Sequence, residues 1–178
     1  MAVAVHTINV PESTDEDKRH VLNVGELAVE MNSQLCKGQA APLFDVEALN
    51  GKRIRLQDLR GKIVLLTFWA SWSSRNVTGI PVLKELYKAF GDNEHFAMIG
   101  LSLDRSAQTV RNFVKNQQMN WTQAVLGDWS QTKIPSQYAL SYIPAAYLID
   151  QNGIVVNVLF LQGPEMRNAI EEALADLE

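Results

Sequence analysis

The chain has 178 residues, 47% of them hydrophobic and 20% charged, a size and balance that suit one globular domain and exclude a disordered chain. Its formal net charge is −4 and its pI about 5.4, with no cluster of lysines and arginines, which excludes a nucleic-acid footprint. No apolar run approaches the ~20 residues a membrane-spanning helix needs, and the start, MAVAVHTINV, has neither the basic nor the apolar region of a signal peptide.

In chain order, residues 1–17 are irregular and include the acidic stretch PESTDED. Val21, Leu22, Val24, Leu27, Ala28, Met31 and Leu35 recur at helical spacing and predict a helix over 16–35, broken at Gly38. LFDVEAL and KRIRL flank Asn50-Gly51, a two-residue turn signal, and predict a β-hairpin. QDLRG makes a single helical turn. KIVLLTFW (62–69) is a continuous apolar run suited to a strand buried on both faces. From Ser74 the pattern becomes helical through Val77, Ile80, Leu83, Leu86, Tyr87 and Phe90 to Gly91, with Pro81 expected to kink it.

HFAMIGLSL (95–103) is a second buried strand, and SAQTVRNFVKNQQM a helix with Ser106 as its N-cap. WTQAVLGDWS has no regular pattern, and PSQYAL is a short helix. AAYLID and IVVNVLFL are strands joined by a tight turn at Gln151-Asn152-Gly153. Gly163-Pro164 opens a last helix with Met166, Ala169, Ile170, Ala173, Leu174 and Leu177 on one face. The order is hairpin, β-α-β-α, then β-β-α. It predicts an α/β fold with a mixed central sheet and helices on both faces.

A single cysteine, Cys36, permits no internal disulfide. With three scattered histidines (His6, His20, His95) it makes no zinc pattern, so neither metal nor cofactor is expected. The chemistry concentrates at FWASWSSRN (68–76), where the apolar strand turns into a helix. Ser73 and Ser74 suit helix capping. Ser73 as a nucleophile needs a histidine base, but His95 opens the next strand, at the far pole of a parallel sheet. Trp69 is expected in the core and Trp72 on the rim, with Trp121 and Trp129 packed.

These residues carry a resemblance. GQAAPLFDVEALNGKRIRLQDLRGKIVLLTFWASW (38–72), Pro81, SLD (102–104) and YIPAAYLIDQNG (142–153) resemble the TlpA/ResA-type thiol–disulfide oxidoreductases, thioredoxin-like proteins related to the peroxiredoxins. The resemblance implies a thioredoxin-like domain over 38–178; residues 1–37, an extension with the helix read from its apolar spacing, lie outside it. It implies a cis bond before Pro144, a kinked helix at Pro81 and an extracytoplasmic setting, while Trp69, by its packing, is read as a structural residue. The resemblance also sharpens the puzzle at 68–76. The family's two redox cysteines fall on Ser73 and Asn76, its frequent glutamate on Gly79, and the buried aspartate of thioredoxins on Thr67.

Disulfide exchange requires a thiolate. The positive end of a helix stabilises an anion by only about 0.3–2 kcal/mol, far too little to ionise a serine hydroxyl at neutral pH. The expectation is therefore a redox-inactive domain that binds a protein or peptide by β-augmentation. Its groove comprises Trp72, Ser73, Ser74, Arg75, Asn76, Ile143 and Pro144, and none of them is catalytic. Two alternatives stand beside it: an oxidoreductase or peroxidase activity of Cys36, and binding of glutathione or another thiol at Ser73. No oligomeric state follows.

Overall fold

The computed structural model describes residues 35–159 and 165–177, which lie in one contiguous unit beginning at Gln34. The helix expected over 16–35 falls outside the described residues except for Leu35. That side chain is not helical but is buried in the core. The Gly163-Pro164 helix start also falls outside them.

A hairpin, β1 (Asp45–Glu47) and β2 (Arg53–Arg55), turns at Asn50-Gly51 and leads into a 3-10 turn at Leu56–Leu59. The apolar run forms β3 (Ile63–Trp69), followed by α1 (Ser74–Phe90) and β4 (Phe96–Ser102). Next come α2 (Ala107–Gln117), β5 (Thr122–Val125) and the short α3 (Ile134–Gln137). A last hairpin, β6 (Ala145–Ile149) and β7 (Val155–Leu159), precedes α4 (Glu165–Ala175). The main sheet has five strands in the order β5-β4-β3-β6-β7. β3 is parallel to β4 and antiparallel to β6. β5 was not legible in WTQAVLGDWS, because a four-residue strand at a sheet edge carries too few residues to show a period.

Every residue of β3 is buried, as a central strand requires, and its alternation separates two cores. Val64, Leu66 and Phe68 face a cluster with Ile54, Leu56, Ile99, Tyr138 and Tyr147, drawn from the hairpin and the turn after it, from β4 and β6, and from the end of α3. Ile63, Leu65 and Trp69 face another with Ile80, Leu83, Leu86, Val110, Met166 and Ile170. Helices thus flank both sides, but α1, α2 and α4 share one. The crossovers β3-α1-β4 and β4-α2-β5 advance in the same direction, and two right-handed crossovers of the same sense put their helices on the same face.

The turn after β6 closes as its residues dictate. Asp150 Oδ1 accepts from the Asn152 and Ile154 N–H groups, at 2.9 and 2.8 Å. Gly153 takes φ +76°, a conformation that favours glycine, against the Arg60 guanidinium.

Phe68, Tyr138 and Tyr147 form an aromatic cluster, in which the Tyr147 hydroxyl donates to the Tyr138 carbonyl at 2.7 Å. Burial, and then nearby Tyr142, push the Tyr147 hydroxyl up from 10.0 to about 12. Unfolded, the tyrosine loses its proton at the lower value, so the unfolded chain binds fewer protons and stability must fall as pH rises between the two. Urea denaturation at pH 10 and above should show this decline, and Tyr147→Phe should lessen it, with the Tyr138 hydroxyl, also pushed up by burial, supplying the rest. A decline of equal slope in the variant would assign it to other groups.

Candidate binding site at the end of the central strand

The site is built where β3 stops. Register pairs Phe68 with Ala145 and Trp69 with Ser102, so Pro144 and Leu103 both adjoin the carboxyl end of β3, where residues 70–73 turn towards α1. One end of the sheet therefore collects Trp72, Ser73, Ser74, Arg75, Asn76, Ile143 and Pro144. The Ile143–Pro144 peptide is cis. Ile143 is buried, Ser73 and Pro144 are half-buried, and Ser74 and Arg75 are exposed. Trp72 is 64% exposed and Tyr142, beside Ile143, 50%.

Hydrogen bonds hold the turn in place. Ala70 O accepts from Ser73 N–H at 3.2 Å and from Asn76 Nδ2 at 2.8 Å, and Ser73 O accepts from Asn76 N–H at 3.0 Å. Ser73 occupies the N-cap of α1, as the sequence suggests, but its hydroxyl makes no cap bond. The capping role expected for this side chain is therefore not realised, and its hydroxyl stays available.

Asn76 is the unusual member, being only 3% exposed. The buried face of α1 runs Asn76, Gly79, Ile80, Leu83 and Leu86, so an amide heads the apolar stripe. Val77, expected on that face, is exposed, because the stripe is phased one residue earlier. The Asn76 Oδ1 has no hydrogen-bond partner among the described residues. An orphaned buried acceptor costs about 1–3 kcal/mol.

Asp104 supports the turn from β4 and escaped sequence reasoning as a site residue. At 4% exposure its carboxylate accepts from Ser71 N–H (2.9 Å), the Ser71 hydroxyl (2.6 Å) and the Ser102 hydroxyl (2.7 Å). The motif SLD held the signal, since a charge ending a buried strand demands partners. Under the strand end, the Trp69 indole donates to Gln123 Oε1 at 3.0 Å. A Cβ on Gly100 would meet both groups, so glycine there makes room for the bond. Thr67, where thioredoxins carry a buried aspartate, donates its hydroxyl to Ile99 O at 3.1 Å and brings no titratable group.

The other candidates lie elsewhere. His95 sits just before β4, where its carbonyl accepts from Ile63 N–H at 2.7 Å, at the opposite end of β3. Gly38, two residues past exposed Cys36, bonds to Val155, again at the end of the sheet away from Pro144. His6 and His20 lie outside the described residues. Trp69 and Trp121 are buried as expected, but Trp129 is 40% exposed rather than packed. It lies in the loop between β5 and α3, a connecting segment that runs over the surface. Pro81 lies inside the unbroken α1. Among the described residues no cluster of histidine, cysteine and carboxylate side chains could hold a metal, and no helix is long and apolar enough to cross a membrane.

Comparison with known proteins matches this geometry. The family model for the AhpC/TSA family matches residues 37–158. A thiol-disulfide oxidoreductase ResA of Bacillus cereus is 34% identical over 134 residues, covering 75% of this chain and 74% of that protein. The thioredoxin-like protein YneN of Bacillus subtilis is 30% identical over 123 residues, covering 68% and 70%. A crystal structure of the thioredoxin domain of a thiol-disulfide oxidoreductase from Bacteroides vulgatus superposes with TM-score 0.71 at 27% identity, covering 78% of this chain and 98% of that one. A thiol-disulfide oxidoreductase from Bacteroides fragilis gives TM-score 0.69 at 26% identity, covering 75% and 98%.

The Asp104 network yields an expectation. Asp104→Ala leaves the Ser71 N–H and two hydroxyls without their acceptor and should lower unfolding free energy by about 1–3 kcal/mol in urea denaturation. A change within error would show that the turn does not depend on this carboxylate.

Proposed function

The chain belongs to the AhpC/TSA family, as a thioredoxin-like protein of the TlpA/ResA type, and we propose that it is a redox-inactive member which binds a protein or peptide at the end of β3. The observation that carries this is Asn76. At the family's second thiol position stands a buried amide, held by Ala70 and unable to form or resolve a disulfide. Ser73, at the first position, is half-buried with no histidine near it among the described residues, since His95 is at the other end of the strand. The electron-carrying atoms are absent while the surrounding geometry persists.

What persists is a recognition surface. Trp72 and Tyr142 project large apolar side chains into solvent from two loops at one end of the sheet, and exposed Arg75 offers a guanidinium beside them. Tryptophan, tyrosine and arginine are the residues that most often dominate binding energy at interfaces. An extended segment that meets the backbone near Pro144 would bind by strand addition, with Trp72 and Tyr142 as anchors. The domain in this reading spans 38–178 after an extension of 1–37; the bond from Gly38 N–H to Val155 O ties in its first residue, and Leu35 just before it already packs in the core.

Affinity capture from native lysate tests this, comparing the natural chain with Trp72→Ala and Tyr142→Ala. Both side chains are exposed, so both variants should keep the parent's thermal stability. Each should weaken retention of a specific partner by about 1–2 kcal/mol or more. Retention unchanged in both would place the contact surface elsewhere.

A further inference from the structure

A concavity borders Trp72. Loops after β3, β4 and β5 border a half-open cleft of about 460 Å³, lined by Trp72, Asp104, Arg105, Thr109, Asp128 and Trp129 among others. That volume falls in the range of small-ligand sites, at the carboxyl ends of parallel strands where open α/β sheets place them. Of the four tryptophans in the chain, two are buried, and both exposed ones border this cleft. Among the described residues, neither indole is in ring contact with another aromatic side chain. Trp72 is 64% exposed and Trp129 40%, so part of each indole is open to a guest.

The charges select the guest. Asp104 and Asp128 stand against Arg105 alone, so the lining carries one net negative charge. The positive end of α2 offsets roughly half a charge, and there Ser106 Oγ already accepts from Thr109 N–H at 3.3 Å. Arg105 is bound through Nε to Asp128 Oδ2 at 2.6 Å with its side chain 80% exposed, so it forms a rim rather than a filling. Hydrogen bonds from Ser130, ahead of the Arg105 guanidinium, hold the Asp128 carboxyl below its ordinary range, so it is ionised. Open indole faces beside a carboxylate attract cations through the ring quadrupole and repel anions.

We propose that the cleft between Trp72 and Trp129 binds an organic cation, a quaternary ammonium or guanidinium group, with Asp128 as its counter-ion. Arg105 competes with that cation for Asp128 and acts as a removable plug. The site shares Trp72 with the proposed groove at Pro144, while Trp129 and Asp128 belong to the cleft alone.

The test follows the indole N–H resonances of the full chain by ¹H–¹⁵N NMR during titration with tetramethylammonium, N-acetyl-arginine amide, and N-acetyl-citrulline amide as neutral control, at constant ionic strength. Saturable shifts of Trp72 and Trp129, with Trp69 and Trp121 still, are expected for the cations and not for the neutral analogue. Trp129→Ala and Asp128→Asn should each weaken binding at least about threefold, and Arg105→Gln should tighten it by a similar factor. Preference for tetramethylammonium would assign the site to free small molecules, and preference for the guanidinium to an arginine side chain. Either upholds the site. Shifts that never saturate, a citrulline response equal to the arginine one, or weaker binding in Arg105→Gln would overturn it. Partner capture through Trp72 and Tyr142 could survive that failure, so the two readings fail separately.

Discussion

The hydrogen-bonded ladders on both sides of β3 constrain the whole site. Parallel pairing with β4 brings Leu103 and Asp104 to its carboxyl end, and antiparallel pairing with β6 brings Tyr142, Ile143 and Pro144 there from the opposite direction. A one-residue slip of either register would exchange the two cores, since Val64, Leu66 and Phe68 face one side and Ile63, Leu65 and Trp69 the other. The apolar side chains thus fix the register, and the register fixes which loops meet. Serine and asparagine at the family's two thiol positions leave that constraint untouched, because neither residue belongs to a strand of the ladder.

The two substituted positions differ physically. Ser73 lies at the helix start, half-buried, where a hydroxyl can meet water. Asn76 lies on the buried stripe, where its Nδ2 binds Ala70 O and its Oδ1 finds no donor among the described residues. A buried amide with one arm unsatisfied is a poor choice for stability alone. The bond it makes closes the turn from Ala70 to Asn76 and holds the base of the loop that presents Trp72.

Much of this was legible in the sequence. The run IVLLTFW declared a central strand because seven consecutive apolar or β-branched residues have few other fates, and Asn50-Gly51 and Gln151-Asn152-Gly153 declared their turns. Family resemblance located Ser73, Asn76 and Pro144. The rest depended on phase and partners that spacing does not encode. Val77 and Asn76 are neighbours, and only packing decides which of them faces inward. Trp129 was expected to pack because indoles usually do, but on a connecting loop it is 40% exposed. Asp104 was visible only as the last letter of SLD. Its role depends on Ser71, far away in the chain and adjacent in space. β5 was too short to show a period, and with it went any sign that loops after three parallel strands border a cleft.

The central claim is that this end of the sheet docks a partner without moving electrons. The most direct measurement is dithiothreitol-driven reduction of insulin disulfides by the natural chain, by Cys36→Ala and by the double variant Ser73→Cys/Asn76→Cys. The account requires no turnover above background from the natural chain or from Cys36→Ala, and clear turnover once both thiols stand on the intact turn. Turnover by the natural chain would contradict it, and loss of that turnover in Cys36→Ala would move the chemistry to the opposite end of the sheet.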